Sequence, residues 1–409
     1  MVASAGERLA SAGEMAFSEA LSPFILILYT ISMVDQELHR GLEDIAVAET
    51  QLSTIDGEAG ELIVRGFPVE ELAKNAVYEE SVFLLFNDRL PTESEFKSFR
   101  GELAGYREIS EEVQRVLRQA AREDADAMDA LRMGVAAANL GFDVTDPTDH
   151  AKRLVSVLPT IVATYWRYRS GQEPVSPRED LGHAANYLYM LTDEEPDSAA
   201  VRGLETYLNT VVDHGLNAST FVARSIASTD SDLVSAVTGA VGSLKGPLHG
   251  GAPGPVLVML LEVHESGDLE EYVWKKLDSG ERLMGFGHRV YRTRDPRAEV
   301  LSYAAQQFYS NSDNRAFFET VEEFEEIAVN QLAEYKPDRK LETNVEFYTA
   351  VLLYGVGIPQ ELFTTTFAVS RVGGWTAHCR EQLADNKIIR PVSIYVGDSD
   401  RSWTPPDER

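Results

Sequence analysis

The 409-residue chain contains a single cysteine, Cys379. That excludes an internal disulfide and any cysteine-built metal cage, and Cys379 reads as a small buried hydrophobe. With no disulfide and no export signal, the cytoplasm is the expected compartment. Positive charge is also scarce: 37 Lys and Arg stand against 66 Asp and Glu, a net charge of −29. An excess of that sign repels nucleic acid and anionic membrane, so neither is an expected partner. The acidic residues are dispersed rather than gathered in a tail, which argues against disorder. Arginine far outnumbers lysine, and this surface chemistry suits a halophilic protein, in which concentrated salt screens the repulsion. Long hydrophobic runs are missing too. The apolar run 24–31 falls well short of the roughly 20 residues that a membrane helix needs. Its upstream flank carries Glu7, Glu14 and Glu19 against Arg8 alone, the wrong sign for a secretion signal. Residues 1–32 are expected to be a non-native or disordered extension, with Met33 opening the compact part.

What is present reads as helix. Hydrophobic residues make up 44%, ordinary for a globular chain long enough for two or three domains. Apolar residues recur at i, i+3 and i+4 over 69–73, 80–86, 93–103, 112–121 and 125–140. The same pattern covers 154–168, where Pro159 predicts a kink, then 184–191, 199–212, 218–228 and 233–244. Strand character is confined to short pieces near the start, such as 61–64 after the turn 56–60. The expected fold is all-α. Residues 250–255 read as a glycine–proline elbow, 256–335 as charged amphipathic helix and 347–355 as an apolar helix. This middle block, 253–350, is predicted to be a small domain inserted into a large one made of 33–252 and 351–409. Clefts between domains are the usual place for a ligand.

Two histidines stand in glycine-rich stretches: His249 in Lys245-Gly246-Pro247-Leu248-His249-Gly250-Gly251, and His288 in Gly285-Phe286-Gly287-His288. Glycine removes side chains that would shield an imidazole from a cleft. With the carboxylate of Glu346, these rings are the parts needed to take a proton from carbon while an enol forms. Arg292, Arg297, Arg371 and Arg390 lie in or beside apolar segments, where an unpaired guanidinium is costly. Arginine forks bind carboxylates bidentately, so a di- or tricarboxylate ligand is one reading; salt bridges to the plentiful Asp and Glu are the other. Gly285-Phe286-Gly287 lacks the third glycine and the preceding strand of a dinucleotide fingerprint. The histidines lack metal-site spacing, so no metal or other cofactor is expected. His39, His150, His183, His264 and His378 read as structural.

Several motifs, in order and spacing, are similar to those of citrate synthases. They are Asp213-His214-Gly215-Leu216-Asn217-Ala218-Ser219-Thr220, the segments 244–251 and 285–297, Asn344-Val345-Glu346-Phe347-Tyr348, Ser370-Arg371-Val372-Gly373-Gly374 and Ile389-Arg390-Pro391. The likeness spans about residues 41–397. It implies an all-α homodimer of two-domain subunits that close over acetyl-CoA and oxaloacetate, forming citrate and coenzyme A. By the resemblance, Glu346 is the general base, His249 holds the thioester oxygen and His288 polarises and protonates the oxaloacetate carbonyl. His214, Arg297 and Arg371 match oxaloacetate ligands, with Arg390 reaching in from the partner subunit. Arg292 and Arg339 match coenzyme A contacts, and Leu283, Gly285 and Gly287 belong to the adenine loop.

The chain also departs from the family pattern. Glu346 stands where Asp is usual and reaches about 1.5 Å further, Val211 replaces a common histidine, Asp126-Ala127 stands for His-Pro and Pro253-Gly254 for Asn-Glu. These changes keep two alternatives open. One is 2-methylcitrate formation from propionyl-CoA, since one methyl in a pocket is worth only about 1–3 kcal/mol. The other is a non-catalytic regulator that binds acyl-CoA or a tricarboxylate.

Overall fold

The computed structural model describes residues 38–42, 45–142, 146–250, 253–287, 291, 293–310, 312 and 314–409. The anticipated extension, 1–32, lies outside them. The chain groups into two compact units, Thr50–Ile389 and Met1–Glu49 with Arg390–Arg409; segment 253–350 lies within the first. In the second, the described residues form only the short 3-10 turns Arg40–Leu42 and Pro406–Glu408.

The first unit is helical, as the periodicity implies. Most starts are fixed by a side chain that accepts from an otherwise unpaired N–H of the first turn. Thr92 caps Glu93–Gly105 reciprocally with Glu95, Asp197 caps Ser198–Val211, Asn217 caps Ala218–Ala227 and Asp232 caps Leu233–Leu244. Asp126 caps Ala127–Ala136, a structural use for the residue that stands where histidine is common. The helix expected at 154–168 runs over Pro147–Arg169, with Asp146 as cap and helical backbone continuing through the buried Pro159. The long helical stretch after residue 255 resolves into Pro253–Ser266, Leu269–Asp278, Pro296–Tyr309 and Arg315–Tyr335. Pro253 already opens a helix, so only part of the expected elbow remains, and Gly251 and Ala252 lie outside the described residues.

Among the described residues, strand is limited to one antiparallel sheet, Ser53–Asp56, Glu61–Val64 and Phe67–Pro68, with Ile55 opposite Leu62. The Asp56 carboxylate accepts from the backbone of Glu58 and Ala59 and closes the turn.

One helix has no counterpart in the sequence reading. Phe363–Ala384 is buried on nearly every side, its Thr365, Thr366, Ser370 and Thr376 included. It packs on Pro147–Arg169, Ala218–Ala227, Leu233–Leu244, Ser198–Val211 and Tyr78–Asn87. A helix enclosed in this way has no polar face, so amphipathic periodicity is silent. Its hydroxyls are satisfied by carbonyls: Thr376 donates to Val372 (2.7 Å) and Ser370 to Leu208 (2.6 Å). At Gly374 a Cβ would come within 2.5 Å of the Val212 carbonyl oxygen and 2.6 Å of Asp213 Oδ1. That close approach lets the helix lie against the turn that carries His214.

No helix among the described residues is long and apolar enough to cross a membrane.

Candidate active site

Glu346 occupies the first turn of the Val345–Gly355 helix, capped by Asn344, whose Oδ1 accepts from the Glu346 N–H at 3.0 Å. Backbone bonds tie this cap to the glycine loop: Asn344 N to Gly285 O (2.9 Å) and Gly287 N to Glu342 O (2.7 Å). The Asn344 amide also donates to Gly287 O at 2.8 Å. Gly285 and Gly287 have φ of +88° and +80°, and a Cβ at Gly285 would meet Phe347 at 3.0 Å. Only glycine suits both the backbone and the space there. Burial drives the Glu346 carboxyl up to about 7, with Arg297 and Arg371 opposing and Asp295 assisting. A carboxylic acid poised there can take up and release a proton near neutrality.

Arg297 sits in the first turn of Pro296–Tyr309, and its Nε and terminal nitrogen grip Asp295 at 3.0 and 2.8 Å. Burial is the largest single influence and would lower Arg297, but the charge and hydrogen bonds of Asp295, with Tyr291 and Glu346, together outweigh it and the guanidinium is raised. Arg371 is different. It is 1% exposed, its Nε donates to Val211 O at 2.7 Å, and its buried Nη2 has no hydrogen-bond partner among the described residues. Burial lowers it to about 10, partly offset by Asp213. A buried guanidinium with a free N–H asks for an acceptor, and a ligand carboxylate supplies one.

His249 Nε2 lies 2.8 Å from Ser219 Oγ and accepts from the Ser219 backbone N–H at 3.3 Å. Trp375 Nε1 donates to the same Oγ at 3.0 Å, and the hydroxyl also has Asn217 Oδ1 as an acceptor at 2.9 Å. The Ser219 backbone N–H can only donate, so Nε2 is the lone-pair nitrogen and Nδ1 carries the hydrogen. Burial, then the Arg371 charge, depresses this imidazole to about 4, so it is neutral at physiological pH. His214 is buried, with Nε2 3.2 Å from the Tyr291 hydroxyl, and Tyr291 lies 5.8 Å under the Arg297 guanidinium.

The structure thus gathers His249, Glu346, Arg297, Arg371 and His214 in one region. Leu283 is buried beside the glycine loop, whereas Arg339 is exposed. Arg390 is exposed within the other compact unit. His288 and Arg292 lie outside the described residues.

The family model "Citrate synthase, C-terminal domain" matches residues 41–392. The chain belongs to the citrate synthase family. It is 44% identical to the citrate synthase of Haloferax volcanii over 91% of this chain and 99% of that protein. It is 35% identical to the 2-methylcitrate synthase of Mycobacterium tuberculosis, covering 91% and 94%. The citrate synthase of Thermoplasma acidophilum, solved with carboxymethyl coenzyme A and oxaloacetate, superposes with a TM-score of 0.83 at 30% identity, covering 92% of this chain and all of that one. Membership makes the chain an acyltransferase with the all-α citrate synthase fold.

Among the described residues no group of three His, Cys, Asp or Glu is placed to hold a metal. The sequence reading did not single out Ser219, Trp375 or Asp295. Ser219 lies inside a quoted motif, but nothing in spacing says that it turns toward His249. Trp375 directly follows a quoted motif, in the helix that periodicity did not reveal, and carries no local signal.

Proposed function

We propose that this chain condenses acetyl-CoA with oxaloacetate and water to give citrate and coenzyme A. The observation that carries the reading is the convergence of a neutral imidazole with Nδ1–H free, a carboxylate poised near 7 and a buried arginine with an unused N–H. A thioester methyl is a very weak acid, so a carboxylate base succeeds only when a fixed donor holds the oxygen on which charge develops. Glu346 takes the methyl proton while His249 Nδ1–H donates to the thioester oxygen. The enol carbon attacks the oxaloacetate ketone carbon, and the ketone oxygen is protonated by His288. Water then cleaves citryl-CoA, releasing coenzyme A and citrate.

Arg297, Arg371 and His214 hold the oxaloacetate, and Arg390 adds a fork from the partner subunit of a homodimer. Arg292, Arg339 and the loop through Leu283, Gly285 and Gly287 hold coenzyme A. Closure of a small domain, 253–350, on the rest excludes water from the base. The reaction needs neither metal nor other cofactor, and a buried, reduced Cys379 suits a cytoplasmic enzyme.

The likeness to a 2-methylcitrate synthase favours propionyl-CoA as a second donor. Thiol release from oxaloacetate with each acyl-CoA tests the reading. Faster release with propionyl-CoA moves the assignment to 2-methylcitrate formation. No release with either donor leaves a binding protein without turnover.

A further inference from the structure

Tyr78 opens the Tyr78–Asn87 helix and is fully buried. Its backbone N–H donates to Glu205 Oε2 at 2.5 Å, on the Ser198–Val211 helix. At the far end of the ring its hydroxyl lies 2.7 Å from Ser370 O and 3.1 Å from Val369 O, on the enclosed Phe363–Ala384 helix. A phenol has one hydrogen, so the two carbonyls share it. They belong to the residues just before Arg371. Arg371 Nε donates to Val211 O at 2.7 Å, and Ser370 Oγ donates to Leu208 O at 2.6 Å, both again on Ser198–Val211. Tyr78 therefore bridges the same two helices that Arg371 spans. Its path to the backbone is open because Gly373 has no side chain: a Cβ there would stand 3.2 Å from the phenol oxygen.

We infer that Tyr78 is a positioning residue for Arg371: its hydroxyl holds the carbonyls of Val369 and Ser370 and so fixes the turn from which the guanidinium reaches oxaloacetate. A carbonyl oxygen has two lone pairs, and a helix uses one of them, so the phenol is an addition to the ladder. What it adds is a sideways tie. A guanidinium on a long side chain magnifies any rotation of its own turn, and a shift of about 1 Å is enough to spoil a positioned contact. Burial pushes the phenol far above its ordinary value, so it stays a donor throughout the working range. The inference rests on Arg371 being a ligand of oxaloacetate.

Tyr78→Phe removes the hydroxyl and keeps the ring. The expected result is a KM for oxaloacetate about fivefold higher, the size of one hydrogen bond between uncharged groups, with kcat and the KM for acetyl-CoA unchanged. Val82→Ala is the control. Val82 packs beside the same glycine, 3.3 Å from where its Cβ would lie, and its side chain cannot donate to a carbonyl. That variant should melt at a lower temperature with its oxaloacetate KM in place. If Tyr78 serves stability alone, Tyr78→Phe shows this same pattern, and the inference is overturned. Equal rises in both KM values overturn it as well, and so does a fall in kcat with the oxaloacetate KM intact. A Val82→Ala rise in oxaloacetate KM as large as that of Tyr78→Phe has the same consequence. Failure of the underlying reading is distinguishable, because Arg371→Gln alone would then leave oxaloacetate affinity, measured by calorimetry, unchanged.

Discussion

His378 and Asp213 are buried together, with Nε2 3.2 Å from Oδ1 and both side chains fully enclosed. Arg224 lies 3.1 Å from His378 Nδ1 and can only donate, so Nδ1 accepts and Nε2–H faces the carboxylate. Asp213 also accepts from Ser53 Oγ at 2.5 Å, and that oxygen receives the Gly215 N–H at 2.8 Å. The turn carrying His214 is thereby held from the central Phe363–Ala384 helix and from the first strand.

His378→Ala leaves Asp213 buried with one donor fewer, a loss of about 1–3 kcal/mol. The expected outcome is a lower melting temperature and weaker oxaloacetate binding through a displaced His214. Burial raises Asp213, but His378 and Ser53 outweigh it and hold the carboxyl below its ordinary value. Its contribution is present above the ordinary carboxylate range and fades as pH falls through the depressed value, so the variant loses most stability at neutral pH. Unchanged melting and binding would dispose of the relay.

Glu346→Gln keeps the shape of the base and cannot accept a proton. Turnover should vanish while oxaloacetate still binds, measured by thiol release and by calorimetry. In the unmodified enzyme kcat should rise with pH through about 7, where burial places this carboxyl. The sign for stability is opposite. A raised carboxyl favours the folded state below its unfolded value and loses that benefit as pH climbs through about 7. A flat rate profile between pH 6 and 8 would take the role of base from Glu346.

Ser219→Ala tests the tautomer of His249. The backbone N–H still reaches Nε2, but the hydroxyl anchored by Trp375 is gone. Loss of one such anchor should lower kcat by about tenfold with little change in oxaloacetate KM. Nitrogen-15 spectra of the imidazole should show hydrogen on Nδ1 in the unmodified enzyme. Hydrogen on Nε2 instead would remove the donor proposed for the thioester oxygen.

Helix starts near 199, 218 and 233 were legible from apolar periodicity, and the structure adds the caps Asp197, Asn217 and Asp232 that fix them. Glu346 and His249 were legible through their motifs, which carry local backbone demands such as the positive φ at Gly285. Phe363–Ala384 was not. Periodicity reports contrast between faces, and a helix enclosed on every side has none, although Arg371 within it was found by its motif. The supports, His378 and Trp375, stayed hidden for a related reason. Their roles come from which helices meet at them, across more than a hundred residues of chain in the pairs Trp375–Ser219 and His378–Asp213.

Arg390→Ala addresses the shared site. If the residue forks a carboxylate of oxaloacetate from the partner subunit, its loss should weaken oxaloacetate binding by about 1.5–3 kcal/mol, the range of one hydrogen bond to a charge. Mixing Arg390→Ala subunits with Glu346→Gln subunits should restore part of the activity, because one of the two sites in a mixed dimer is intact. No recovery on mixing would place Arg390 within its own subunit's site or outside any site.

The net charge of −29 makes salt a variable of stability. Carboxylates without a basic neighbour repel at low ionic strength over a Debye length of about 10 Å at 0.1 M, and over about 3 Å at 1 M. Ion pairs such as Lys97–Glu93 and Arg315–Glu319 are exposed and contribute little, so they do not offset that repulsion. The melting temperature should therefore climb as KCl is raised from 0.1 M to beyond 1 M. Buried contacts, Arg297–Asp295 among them, are screened far less and set the floor from which it climbs. Higher melting in dilute buffer than in concentrated KCl would show that the acidic surface is not an adaptation to salt.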